Sequence, residues 1–313
     1  MDVRALETLR TVRSQGGVGA AAAVLHLTPS AVSQQLAALS REAGVALTER
    51  VGRGLRLTPA GDALADAAVD VVVAVERARA ACAAFLDRPE GTVRVSAFQS
   101  GAQLLLPPLL TRVRALGGTT VECSDEDVAQ DEFPALTDRV DVVVAHRPEG
   151  SAEWPGSPSR LRVVPLLREP LDVAVPADHP LAGRERVRAA DLVGERWIAV
   201  REGFPVATVL AAVAAGSGTA PRIAHRINDF SVVEAMVAAG HGVSLLPRWT
   251  AGRSAGVRLL PLAGVRAGRR VDALLRPDTA ERLVVRRVLD ELVAVAAAVE
   301  RGAPVTAASG AGR

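Results

Sequence analysis

The chain has 313 residues, is 49% hydrophobic and 23% charged, and carries a formal net charge of +2. That length accommodates two or three globular domains, and the near-neutral balance excludes a protein that is a basic nucleic-acid coat throughout. Lysine is absent, which excludes a Schiff-base enzyme and a P-loop nucleotide site, since both need that amine.

No basic start followed by an apolar run opens the chain. The Ala- and Val-rich run 63–84 is interrupted by Asp66, Asp70, Glu76, Arg77 and Arg79. Neither a signal peptide nor a membrane span is expected, and a cytoplasmic protein is. Val18 to Leu25 reads as a short helix, with His26 and Leu27 as the turn after it. Thr28 then offers a hydroxyl to an orphan backbone N–H, and Pro29 suits the first helical position. Val32, Leu36 and Leu39 define the buried face of the next helix, while Ser30, Ser33, Gln34 and Arg41 line the other. Gly44 closes it. A short helix with a small, donor-rich face suits the major groove. Arg50, Arg53 and Arg56 surround Gly52 and Gly54 in a hairpin suited to phosphates or the minor groove. Residues 1–60 hold seven Arg against four acidic residues, a local excess that fits a DNA-binding head. An ordinary helical hairpin shares some of these features. Their order favours DNA contact by Thr28, Pro29, Ser30, Ser33, Gln34, Arg50, Arg53 and Arg56.

Gly61 to Asp87 reads as one long helix. Leu64, Val71, Ala78 and Phe85 recur every seven residues, as do Ala68, Val75 and Cys82, which makes a seam for a second helix, most simply from another copy of the chain. Arg88 to Gly91 breaks it into a hinge. From Thr92 strands and helices alternate, which predicts a mostly parallel sheet flanked by helices. The first unit has strands at 93–98, 119–123 and 140–145, a helix capped by Ser100, and a helix over 127–137. The second has separate strands at 163–167 and 171–175, strands at 197–200, 223–227, 243–246 and 271–275, and helices at 206–215, 232–239 and 281–300. The expected domains are a head at 1–60, a linker helix and hinge at 61–90, and an effector domain at 91–301. Within the last, lobe I is 91–161 plus 268–301 and lobe II is 162–267; residues 302–313 read as a disordered tail.

Two α/β lobes joined by more than one crossing predict a ligand cleft between them, at the carboxyl ends of the strands. The expected lining is Gln99, Ser100 and Gly101, then His146 and Arg147, Arg201 and Phe204, and Asp229 and Phe230. Three cationic candidates beside a helix start suggest a small polar or anionic effector, carboxylate or amino-acid-like, against the alternative of a neutral ligand. Asp125, Glu126, Asp127, Asp131 and Glu132 read as a solvated acidic loop. Cys82 and Cys123 lack metal spacing and read as two buried thiols. No metal or other cofactor is expected, and no histidine has a nucleophile partner. An enzyme or solute receptor on the same two-lobed body is the competing function class.

The same residues resemble a LysR-type transcriptional regulator. The likeness runs through Leu6, Leu9, Ala21-Ala22, Thr28-Pro29-Ser30, Ala31-Val32-Ser33, Leu39, Gly44, Leu47, Arg50 and Leu57-Thr58-Pro59-Ala60-Gly61. Gly17, Val18, Ser40 and Thr48 depart from the family's usual residues. Further on it includes the run ending Leu105-Leu106-Pro107, His179-Pro180-Leu181-Ala182, Asp191-Leu192 and Met236 to Pro247. The resemblance implies a winged helix-turn-helix, a linker helix, and a two-lobed α/β effector domain like the type 2 periplasmic binding proteins. It implies a pseudo-palindromic double-stranded DNA site, a small-molecule co-inducer, and assembly from homodimer to homotetramer, with RNA polymerase as a further partner and no membrane.

Overall fold

The computed structural model describes residues 1–52, 54–85, 90–152, 154, 161–252 and 254–302. At the N-terminus α1 (Val3–Ser14), α2 (Val18–Val24) and α3 (Pro29–Ala43) pack together, followed by a hairpin of β1 (Thr48–Val51) and β2 (Gly54–Leu57). Leu6, Leu9, Val12, Ala21, Val32, Leu36, Leu39 and Leu47 form the core of this head. Thr28 caps α3 as its spacing requires, accepting from the Ala31 N–H at 3.2 Å, and Gly44 ends it in the left-handed region. Ser40 takes a structural role, its hydroxyl accepting from the Leu47 N–H at 3.3 Å.

The wing passes directly into α4 (Pro59–Ala83). Thr58 makes that junction: it accepts from the Gly61 N–H at 3.1 Å and donates to the Ala46 carbonyl at 2.7 Å. A Cβ on Gly61 would lie 2.1 Å from the Leu47 carbonyl oxygen, so this position admits only glycine without movement. The expected helix-pairing seam is divided. Ala68 is buried in the head's own core and Leu64 packs against it, because the first turns of α4 lie on α1. Val71, Ala78, Cys82 and Phe85 remain exposed and Val75 half-buried. Both cysteines are free and exposed, contrary to the expected buried thiols. Cys82 lies on the open face of α4, and the Cys123 strand is an edge.

The rest of the chain is α/β. In chain order it contains β3 (Gly91–Ala97), α5 (Gln99–Leu116), β4 (Thr119–Asp125), α6 (Phe133–Leu136), β5 (Val142–Pro148), β6 (Arg162–Pro176), β7 (Val187–Arg188), β8 (Arg196–Ala199), α7 (Pro205–Ser217), β9 (Arg222–Arg226), α8 (Phe230–Ala238), β10 (Ser244–Pro247), β11 (Val257–Leu260), β12 (Leu262–Ala263), β13 (Gly268–Leu275) and α9 (Leu283–Glu300). The main sheet runs β10–β6–β13–β5–β3–β4, with β11 also on β6. It is mixed, not mostly parallel: β3 is parallel to β4 and β5, while β13 is antiparallel to β5 and β6. The two strands expected at 163–167 and 171–175 are one continuous strand, β6. Arg168, Glu169 and Pro170 break its apolar pattern, yet the ladder to β13 continues through them. The two long strands β6 and β13 carry the chain between a core built on β3, β5, α5 and α9 and a second core built on β8, β10 and α7. The expected helix over 127–137 shortens to α6 and a preceding 3₁₀ turn, since Pro134 and the acidic run disfavour a longer one. Among the described residues no helix is long and apolar enough to cross a membrane.

Candidate DNA-reading face and effector cleft

The exposed side of α3 carries Ser30, Ser33 and Gln34, with Thr28 and Pro29 at its start. Its opposite side is fixed by Val32, Leu36 and Leu39 in the core, and the Thr8 hydroxyl donates to Gln35 Oε1 at 2.5 Å. The helix thus presents a small polar ridge on a rigid support. Arg50 and Arg56 are exposed on the two wing strands. They differ in setting: Glu49 stands directly opposite Arg56, whereas Leu55 stands opposite Arg50. Cross-strand partners share a face, so Arg56 has a carboxylate neighbour and Arg50 does not. Arg53 lies outside the described residues.

The second candidate site lies between the lobes. Phe98, Gln99, Ser100, Asp127, His146, Val200, Phe204, Val206, Asn228, Phe230 and Arg269 enclose a cavity of about 20 Å³, room for a single water molecule. Two helix starts converge there. α5 and α7 begin after Phe98 and Phe204, residues that cannot cap, and neither start has a side-chain cap. Uncapped N–H groups and the positive ends of the helix dipoles therefore face the cleft. Ser100 does not cap α5 as expected. Its hydroxyl accepts from Arg269 at 2.7 Å.

Arg269 is the centre of the cleft floor. It is 1% exposed, donates to Glu169 at 2.6 and 2.9 Å on the adjacent strand, and lies 4.6 Å from the Phe98 ring centroid. His146, 3% exposed, packs tilted against the Phe98 ring at 4.2 Å, and among the described residues neither of its ring nitrogens has a hydrogen-bond partner. Burial, then the nearby Arg269 guanidinium, holds it well below its ordinary value of 6.5, so it is neutral. Burial pushes the Asp127 carboxyl up, against the pull of Arg269 and Arg201. Arg201 is exposed at the rim, 5.5 Å from the Phe204 centroid.

The expected lining is thus partly corrected. Gln99, Ser100, His146, Phe204 and Phe230 line the cavity, and Arg201 borders it. Gly101 is packed under Phe98, where a Cβ would meet the ring at 2.6 Å. Arg147 points away, because strand alternation places it on the other face from His146, and it donates to Asp272 at 2.8 Å. Asp229 caps α8, accepting from the Ser231 N–H at 2.8 Å, and is drawn below its ordinary value by the Ser231 hydroxyl and by Gln99. His146 supplies no cation. Sequence reasoning missed Arg269 and left Asp127 in a solvated acidic loop, whereas it lines the cavity. The available signals were a charged residue opposite another in two long apolar strands, and an acid closing a β–α loop.

Fold and site define a class: a winged helix-turn-helix head joined by a long helix to a two-lobed binding domain. Comparison with known proteins places the chain within it. Residues 3–62 match the model for bacterial regulatory helix-turn-helix proteins of the lysR family, and residues 86–297 match the LysR substrate binding domain. The chain belongs to the LysR family of DNA-binding transcriptional regulators. It is 33% identical over 287 residues to the small neutral protease regulatory protein of Streptomyces lividans, covering 85% of this chain and 79% of that one. It is 27% identical over 243 residues to the HTH-type transcriptional regulator CysL of Bacillus subtilis, covering 78% and 79%. A full-length OxyR variant from Pseudomonas aeruginosa has a similar fold, with TM-score 0.65 at 21% identity over 94% of this chain and 97% of that one.

Proposed function

We propose that this regulator reads a pseudo-palindromic promoter site with α3 and the wing, and that a small effector with an anionic group binds between the lobes to control it. Its working division is the head at 1–60, the linker helix at 61–90 and the effector domain at 91–301, acting in the cytoplasm. Ser30, Ser33 and Gln34 are the base-reading residues, with Arg50, Arg53 and Arg56 on the backbone or minor groove. The observation that carries the effector reading is the cleft itself: two uncapped helix starts and Arg269 converge on a buried, unpartnered His146. The helix starts and Arg201 receive the anion once the lobes part, since the closed cleft holds only about 20 Å³. Glu169 already compensates Arg269, so the ligand carries one anionic group and otherwise neutral polar atoms, one of which meets the His146 ring. Exposed Val71, Ala78 and Cys82 on α4, with Phe85 just past its end, support pairing of two copies, and a dimer of dimers is the assembly the LysR resemblance implies, with RNA polymerase as a downstream partner.

A thermal-shift screen of small carboxylates, neutral polar compounds and amines against wild type and Ser100→Ala tests this. Carboxylates are expected to raise the melting temperature of wild type by several degrees and of the variant by less. Equal stabilisation of both removes Ser100 from the site. Stabilisation by neutral compounds or amines alone overturns the anionic reading.

A further inference from the structure

The head is not merely tethered to the effector domain; it is bolted to it through a buried ion cluster. Arg10 of α1, 8% exposed, donates from both terminal nitrogens to Asp278 Oδ1 at 3.3 Å. Arg276 binds the same carboxylate at 3.0 and 3.2 Å and lies 3.9 Å from Asp138. Asp138 in turn accepts from Gln15 at 2.8 Å and from the Ser14 hydroxyl, both at the end of α1. Gln15 also reaches the Ala135 carbonyl at 3.3 Å. A cavity of about 220 Å³ lies beside these contacts, lined by Arg10, Arg13, Val69, Pro134, Leu161 and Arg276 among others. The joint is therefore polar and incompletely filled, the kind of interdomain contact that opens.

The effector-domain side of the joint has two physical connections to the cleft. β13 has Arg269 at its cleft end, and Arg276 directly follows its last residue, roughly 23 Å away at the rise of an extended strand. α6 has Phe133 edge-on to His146 at 5.6 Å, and its other end carries Ala135 and Asp138 to α1.

We propose that Arg10, Asp278, Arg276 and Asp138 are the positioning residues of the DNA-reading head, and that occupancy of the cleft reaches the head by shifting this cluster through β13 and α6. This rests on the cleft and head having the roles given above. The two-state element is the joint, docked or released. Docked, it fixes the direction in which α3 points from the effector domain. A buried ion cluster suits such a switch, because displacing one partner leaves a charge uncompensated and the contact fails as a unit.

Hydrogen exchange on the full chain, without DNA or ligand, tests the proposal. Asp278→Asn and Arg10→Met should each raise exchange in residues 130–139 and 276–282 by about tenfold, and the double variant should raise it no further than either single one. Glu169→Gln with Arg269→Met, which removes the cleft pair without stranding a charge, should also change exchange at 276–282. Phe133→Leu should do the same at 130–139 and serves as the cleft-side variant if the pair replacement does not fold. Arg184→Ala, which removes only a surface pair with Asp191, should change neither. Independent, additive effects of Asp278→Asn and Arg10→Met overturn the cluster. Unchanged exchange at the joint in the folded cleft-side variants overturns the relay. Failure of wild type to prefer its promoter over random duplex would instead sink the DNA reading, and leaves the exchange result standing.

Discussion

At the scale of single residues, the cleft is governed by groups whose charge is set by burial. His146 is neutral in the folded protein and has an ordinary value of 6.5 when released. The folded-state value is lowered, so the unfolded chain binds the proton first as pH falls. Stability is therefore full above about 6.5 and declines below it, by up to about 1.4 kcal/mol per pH unit until the folded value is reached. His146→Phe keeps a ring against Phe98 and Phe133 and removes this titration. Its stability between pH 6.5 and 5.5 should fall by about 1 kcal/mol less than that of wild type, as urea midpoints will read. Equal slopes would mean that His146 is charged in the folded state. Arg269 and Glu169 form a fully buried pair. Arg269→Met alone leaves the Glu169 carboxylate uncompensated and should cost about 3–5 kcal/mol, whereas adding Glu169→Gln should recover much of it. Chemical denaturation of both variants decides this, and a double variant no more stable than the single one would contradict it.

At the scale of elements, α3 and α4 each divide their faces between jobs. The face of α3 built on Val32, Leu36 and Leu39 supports the one that presents Ser33 and Gln34. Ser33→Ala should leave stability unchanged and narrow the preference for promoter over random duplex by about 1 kcal/mol, seen in competition mobility shifts. Leu36→Ala should cost about 2–5 kcal/mol of stability and lose DNA binding with it. On α4, Ala65, Ala68 and Val72 are buried, while Val71 is 43% exposed and Phe85, just past the helix end, 91%. Val71→Asp should leave the chain folded, lower its mass in light scattering toward one copy, and weaken promoter binding. Persistence of the wild-type mass at micromolar concentration would remove this face from the assembly.

At the scale of the whole molecule, the cleft and the proposed DNA-reading face lie in different cores joined by α4 and by the Arg10–Asp278 contact. That contact has an acid limit. Burial works against the Asp278 charge, but Arg276 and Arg10 hold its carboxyl below the ordinary 3.8. Its contribution is present above that value and is lost as pH falls through the lowered one. Exchange at 276–282 should therefore rise in wild type below pH 3.8 and already be high at neutral pH in Asp278→Asn.

The helix-turn-helix was legible in the sequence because its signals are local. Thr28, Pro29 and Gly44 act within one turn of where they stand, and a three-four apolar spacing means the same thing in any context. The heptad of α4 was equally visible, but periodicity does not say which helix covers a stripe. Only packing assigned Ala68 to the head and left Val71 and Phe85 open. The α/β alternation predicted two lobes, whereas strand direction depended on how β6 and β13 cross between them. The cleft was half legible. Ser100, His146 and Phe204, near strand ends and helix starts, follow from strand–helix order, while Arg269 comes from a strand more than a hundred residues beyond Ser100 and His146, and nothing local tells Asp127 from its acidic neighbours. The sequence by itself determined the local elements, the polar exposed face of α3 and the existence of two lobes, since each depends on neighbours within a few residues. Tertiary structure alone decided the charge of the cleft and the bolt at Asp278, because burial and pairing between residues 10, 169, 269 and 278 exist only once the chain has closed on itself.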